Sequence, residues 1–334
     1  ILSNIKDAYT KEDGSIYTMP VKFGIPMIEG NKDIIAGITD LTTEADAAES
    51  QKDSYGKLQF FSDFSIAPSY LIQGTIDNSI PAWMNEDGTL NENAVKEYLE
   101  QVNRIWQTQK NAIEETKKAY QMGDDWADSD HSGYMDISGS VTSLLAKVDT
   151  VAAGGLLSPE GLVSLDSARK VDPDLDYKLL NGQSENCFYP RSAVGVSAKA
   201  SEKEAAEKFV KFLFEEESQR ASNTEGLAVN SKVYEDMAYW KMGKSSGDTI
   251  GSIGTSYDTG DGNIKQFVMD EIIPEDEAIQ NIMDLGKTLT VPAKSNQIIR
   301  SAVTESGEKY LNGETGLDDA VKEIMQEVNL YLSE

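Results

Sequence analysis

The chain has 334 residues, long enough for two domains of ordinary size. With 39% hydrophobic and 26% charged residues its composition is globular, which excludes a disordered chain. Asp and Glu outnumber Lys and Arg by 57 to 30, and the resulting formal charge of -27 repels phosphate backbones and argues against a nucleic-acid partner.

In chain order, "GSIYTMPVKFGIPMI" is rich in β-branched and aromatic residues and interrupted by Pro20 and Pro26, which predicts one or two extended segments. "ITDLTTEADAAESQ" predicts a short helix capped near Thr39 or Asp40, and "GKLQFF" a buried strand. The strongest helix signal lies over "TLNENAVKEYLEQVNRIWQTQKNAIEETKKAYQMG", where Val95, Tyr98, Leu99, Val102, Ile105 and Trp106 recur at helical spacing and Gly123 provides a stop. Next come a short helix around Thr142–Lys147, a glycine turn at Gly154 and Gly155, and a strand over "DYKLLNG". "SAVGVSAKASEKEAAEKFVKFLFEEESQ" predicts a strand, a capping box of Ser201 with Glu204, and an amphipathic helix whose Ala205, Ala206, Phe209, Val210, Phe212 and Leu213 cover a sheet face. Lys241–Asn263 is polar and glycine-rich without a period and is expected to be loop. Helices follow over Glu275–Leu285, Ala293–Leu311 and the last residues from Leu317. Strands alternating with helices predict an α/β fold, with ligands bound where loops leave the sheet.

Chemistry-bearing motifs are sparse. A single histidine, His131, excludes a His-rich metal site, and neither a phosphate-binding loop nor a dinucleotide fingerprint occurs. Cys187 is the lone cysteine and reads as a structural thiol, in a compartment that is either cytosolic or a bacterial surface without disulfides. "DSDHSGYMDISG" copies the first half of a calcium loop with Asp128 and Asp130, but the twelfth position is Gly139 rather than Glu, so a surface turn is the default and no metal or cofactor is expected. No run of about 18 apolar residues exists. Trp83, Trp126, Tyr134 and Trp240 lie in or beside loop segments among Asp, Asn and Ser. A sugar needs such a setting, because its C–H faces stack on rings while its hydroxyls bond polar side chains. Alternatively each ring plugs a loop onto the body.

"CFYPRSAVGVSAKASEKEAAEKFVKFLFEEESQ", followed by "EGLAVNSKVYED", resembles the extracellular solute-binding proteins of bacterial ABC importers, the carbohydrate-oriented family that includes maltodextrin-binding protein. The crossover Gly226–Asn230 carries Ala228 where that family has proline. "DGSIYTMPVKFGIPMI" resembles the family's first crossover, and "YLNGETGLDDAVKEIMQEVNLYLSE" its last helix.

The resemblance implies a periplasmic-binding-protein-like two-lobe α/β fold, with lobe one truncated at the N-terminus. The implied divisions are 1–20 as the end of lobe one with the first crossover, 21–229 as lobe two, 230–292 as a returning lobe-one segment, and 293–334 as helices packed on lobe two. It further implies that Tyr189 stacks on a ligand, that Arg191 anchors a polar ligand group or forms a surface salt bridge, and that the turn at Gly154 and Gly155 forms a second cleft edge. The expected function is capture of an oligosaccharide by a monomeric, lipid-anchored extracellular receptor that delivers it to the transmembrane subunits of an ABC permease, without catalysis. A glycosidase using paired carboxylates and a non-enzymatic surface module are the rivals.

Overall fold

The run beginning at Met19 forms one strand, β1 (Met19–Asn31), which passes through both prolines without a break. Proline fixes φ near a value that extended backbone accepts, and each proline costs the ladder only its own N–H. The structure is a computed structural model and describes residues 1–51, 67–120, 136–147, 149–221, 225–258, 263–294 and 296–332. The other strands are β2 (Val151–Leu156), β3 (Leu175–Leu179), β4 (Cys187–Val194), β5 (Leu227–Ala228), β6 (Thr249–Asp258), β7 (Ile264–Ile272) and β8 (Val291–Pro292). β1 is the hub. It runs antiparallel to β4 from Met19 to Gly24 and to β5 at Lys22 and Phe23. Further along it pairs antiparallel with β2 from Ile25 to Gly30 and with β3 from Met27 to Asn31. β8 adds to β4 in parallel and completes a six-stranded sheet.

The helices are α1 (Ser3–Tyr9), α2 (Lys32–Ala36), α3 (Leu41–Ser50), α4 (Pro68–Ile76), α5 (Ile80–Trp83), α6 (Glu92–Tyr120), α7 (Val141–Leu145), α8 (Pro159–Val171), α9 (Lys203–Leu213), α10 (Glu216–Arg220), α11 (Ser231–Tyr234), α12 (Met237–Trp240), α13 (Asp276–Thr288), α14 (Gln297–Leu311) and α15 (Leu317–Leu332). Asp40 caps α3, accepting from the Thr43 N–H at 2.8 Å while the Thr43 hydroxyl accepts from the Asp40 N–H at 3.0 Å. That exchange satisfies two helix-terminal donors at once. On α6, Val95, Tyr98, Leu99, Val102 and Ile105 are fully buried, as their spacing predicts. None of the described helices is long and apolar enough to cross a membrane.

Alternate side chains of β1 feed two different cores. Ile28 joins Trp83, the buried stripe of α6, and the inner faces of α3, α4, α14 and α15. Phe23, Ile25 and Met27 join Leu2 and Ile5 of α1, the inner faces of α7, α8 and α13, and Tyr234 and Trp240. The opposite directions of successive strand residues produce this division.

Four expectations are corrected. Gly154 and Gly155 lie within β2, buried and paired with Met27 and Pro26, rather than in a turn. Residues 249–258 and 264–272 form the antiparallel strand pair β6–β7 instead of loop. The capping box of Ser201 is not formed: α9 starts at Lys203 after Glu202, with no side-chain cap bond. Nor does α9 cover a sheet face. None of its residues is buried, and Phe209 and Phe212 are 61% and 49% exposed. "GKLQFF" and Gly123 lie outside the described residues.

Candidate functional site

Lys22 is the lone cation in the buried run of β1, and it lines a cleft of about 540 Å³. The walls come from the β2–α8 turn (Leu157, Ser158, Pro159, Glu160), the segment entering β5 (Glu225, Gly226), the end of α10 (Arg220, Ala221), α12 with its C-terminal turn (Ala238, Tyr239, Met242), and Asp136.

Local sequence accounts for each wall. Ser158 caps α8, its hydroxyl accepting from the Gly161 N–H at 3.0 Å, and Pro159 opens the helix where no amide donor is required. Gly226 has φ of 124°, and a Cβ there would stand 2.6 Å from the Lys22 Cβ. Only glycine lets this backbone pass over the β1 floor. The Gly226 N–H donates to the Leu157 carbonyl at 2.8 Å, which joins two walls directly. The Tyr239 hydroxyl accepts from the Ala228 N–H at 3.3 Å, and burial pushes that phenol up to about 12.

Gln219 pins the floor. Its side-chain amide donates to the carbonyls of Val21 and Leu213, each at 2.8 Å, and its oxygen accepts from the N–H groups of Val229 at 2.8 Å and Asn230 at 3.2 Å. The Lys22 ammonium donates to the Gln219 backbone carbonyl. Burial lowers the Lys22 ammonium from its usual value to about 8. Ion pairs close the rim: Arg191, opposite Lys22 in the β1–β4 register, meets Glu225 at 2.6 Å, and Arg220 meets Asp236 at 2.6 Å. The surface salt bridge is therefore the arrangement found for Arg191.

Other predicted site residues are placed elsewhere. Tyr189 is buried in β4 with its hydroxyl accepting from the Asn78 amide at 3.2 Å, so its ring is closed to a stacking ligand. A Cβ on Gly155 would come within 2.9 Å of Leu157 and 3.3 Å of the Tyr189 ring, so this glycine makes room for side chains and not for a ligand. Gly154, buried in the same strand, is likewise no cleft edge. Trp83 is sealed in the core, donating to the Gln183 side chain at 2.5 Å with its ring edge-on to Tyr98. Trp240 donates to the Tyr234 carbonyl at 2.6 Å between the rings of Tyr234 and Tyr239. These indoles hold short helices onto the body, because a ring beside a four-residue helix has no other shelter from water. Trp126, Tyr134, Asp128 and Asp130 lie outside the described residues, among which no group of metal-ligating side chains occurs. Cys187 is a buried thiol pushed up to about 12 by burial.

The cleft residues missed from sequence are Lys22, Glu225, Arg220 and Tyr239. Lys22 carried a signal: a charge inside "MPVKFGIPMI" has to be held there by something.

A family model described as bacterial extracellular solute-binding protein matches residues 2–220. No curated protein matches the chain. Among solved structures the chain is similar to a candidate oligosaccharide periplasmic-binding protein from Synechococcus sp. MITs9220, with 12% identity, a TM-score of 0.55, and coverage of 99% of this chain and 76% of that one. It is similar to a cyclic alpha-maltosyl-1,6-maltose binding protein from Arthrobacter globiformis, with 13% identity, a TM-score of 0.50, and coverage of 99% and 76%. It is also similar to a sugar transporter from Rhizobium etli in an open conformation, with 14% identity, a TM-score of 0.50, and coverage of 98% and 75%. At such identities the likeness establishes the two-lobed periplasmic-binding-protein-like α/β fold.

Proposed function

Since the chain belongs to the bacterial extracellular solute-binding proteins, we propose that it captures an oligosaccharide between two hinged lobes and delivers it to the transmembrane subunits of an ABC importer. The observation that carries this reading is the cleft on β1, the strand whose side chains enter both cores. Its walls include Ser158 and Glu160 of the proposed 21–229 division and Ala238, Tyr239 and Met242 of the proposed 230–292 division, so the binding free energy of a ligand gripped there favours the closed arrangement. The sugar-related names of structural neighbours support the ligand class.

The lobe divisions 1–20, 21–229, 230–292 and 293–334 belong to the same proposal. Tyr234, Trp240, Met269, Ile279 and Met283 pack in one core with Leu2 and Ile5, whereas Ile299, Val303, Val321 and Ile324 pack in the other with α3, α4 and α6, which supports separating the last two segments. The site proposed is the cleft, with Arg191 and Glu225 at its rim. The receptor acts as a monomer outside the cell, held by a lipid anchor.

Catalysis is not part of the reading. A glycosidase needs a carboxylic acid held protonated beside its substrate. Among the described residues the carboxyls pushed upward, Glu29 and Glu44, are buried in the body and do not line the cleft.

The test is calorimetric titration of the chain with a panel of oligosaccharides, with the mixtures analysed afterwards for newly released reducing ends. Saturable binding with the saccharide recovered intact is the expected result. Release of cleaved sugar would establish a hydrolase instead, and absence of binding across the panel would remove the oligosaccharide assignment.

A further inference from the structure

Lys22 is 2% exposed, yet it lines the cleft. An ammonium has three N–H donors. One goes to the Gln219 carbonyl, and among the described residues no other acceptor bonds it and no carboxylate pairs with it. Two pairs of charged groups around it are engaged with each other. Arg191, directly opposite on β4, and Glu225 pair with each other, as do Arg220 and Asp236. Asp136 accepts from the Ser138 N–H at 2.9 Å, and Glu160, in the first turn of α8, lines the same cleft. A buried cation with spare donors is costly unless a counter-charge reaches it.

We propose that the ligand of this cleft carries an anionic oxygen group, a carboxylate or a sulfate, and that the Lys22 ammonium receives it. The proposal rests on the reading of the cleft as the saccharide site and narrows it to acidic saccharides. The negative charge of the whole chain does not oppose it, because charges beyond about 10 Å are screened at ordinary ionic strength, whereas Lys22 would touch the ligand. Below pH about 8 Lys22 is charged, so it is available as ammonium at neutral pH.

The test compares three probes by calorimetry on the unmodified chain: trigalacturonate for the carboxylate, sulfated lactose for the sulfate, and maltotriose as the neutral control. One acidic probe should bind at least about tenfold more tightly than maltotriose, as a charge-assisted hydrogen bond warrants. Its affinity should fall once the pH passes the Lys22 value of about 8, the bound anion moving that fall upward without abolishing it. Lys22→Met should remove both the preference and the pH dependence; should that variant fail to fold, the selectivity and pH profile of the unmodified chain decide. Maltotriose binding as tightly as both acidic probes, or acidic binding indifferent to pH, overturns the proposal and leaves the oligosaccharide reading standing. Absence of binding by all three overturns the proposal, and the broad saccharide panel then decides the parent reading.

Discussion

Asp77, just past the last residue of α4, meets Arg300 in the first turn of α14 at 2.6 Å, their side chains only 1% and 12% exposed. Each charge sits at the unfavourable end of its own helix, a carboxylate beside free carbonyls and a cation beside free N–H groups. The pair offsets both penalties. Replacing Arg300 with Met removes the ion-pair partner of a buried carboxylate and should lower the unfolding free energy by about 3–5 kcal/mol. The double variant Asp77→Asn with Arg300→Met should recover much of that loss, and urea denaturation of the four species of the cycle measures the coupling.

Gly226→Ala meets two obstacles: a φ of 124° and a Cβ 2.6 Å from the Lys22 Cβ. We expect destabilisation above about 2 kcal/mol together with loss of saccharide binding, since the displaced backbone forms the cleft wall. Gly313→Ala is the control. Its φ of 78° carries conformational strain, but no atom lies within 4 Å, so the cost should stay near about 1 kcal/mol with binding retained.

Burial, and secondarily the charge of Asp40, raises the Glu44 carboxyl to about 8. The folded chain therefore keeps a proton that the unfolded chain releases near pH 4.3. A raised carboxyl favours folding at low pH, and that contribution is lost as the pH climbs toward about 8. Relative to Glu44→Gln, the unmodified chain should lose up to about 1.4 kcal/mol per pH unit across that window. Urea midpoints of the two proteins at a series of pH values check this. Glu29, pushed upward by burial and then by Asp176, should act in the same direction.

Phe209 and Phe212 of α9 are exposed, so Phe209→Ser and Phe212→Ser should shift the chain's unfolding free energy by no more than about 0.5 kcal/mol. Leu99→Ala on α6 removes a fully buried side chain and should cost about 2–5 kcal/mol. Chemical denaturation compares them directly. A large effect at Phe209 would mean that its ring is covered in solution.

Periodicity made part of the fold legible. The stripes of α6, α14 and α15 and the cap at Asp40 follow from local chemistry, because apolar residues three and four apart must turn inward together. The β6–β7 hairpin was not legible. Half-buried Ile253, Thr255 and Tyr257 do alternate with exposed Ser252, Gly254 and Ser256, but the glycines and serines between them read as loop, and the exposed apolar Ile264 and Val268 blur the pattern on β7. Gly154 and Gly155 looked like a turn because a glycine's service to neighbouring side chains such as Leu157 and Tyr189 leaves no trace in sequence. Loop aromatics misled for a related reason: Trp83 and Trp240 serve as packing for short helices, and sequence shows where a ring is but not what covers it. Gly226, in the segment that family likeness reads as a crossover, lines the cleft, while the charge at Lys22 was visible but unread.

β1 has a mechanical meaning. The same uninterrupted ribbon supplies Ile28 to one core and Phe23, Ile25 and Met27 to the other, so neither core can melt while the other stays intact. The molecule should therefore lose its structure in one cooperative heat-absorption peak, two-lobed in shape but single in its thermodynamics.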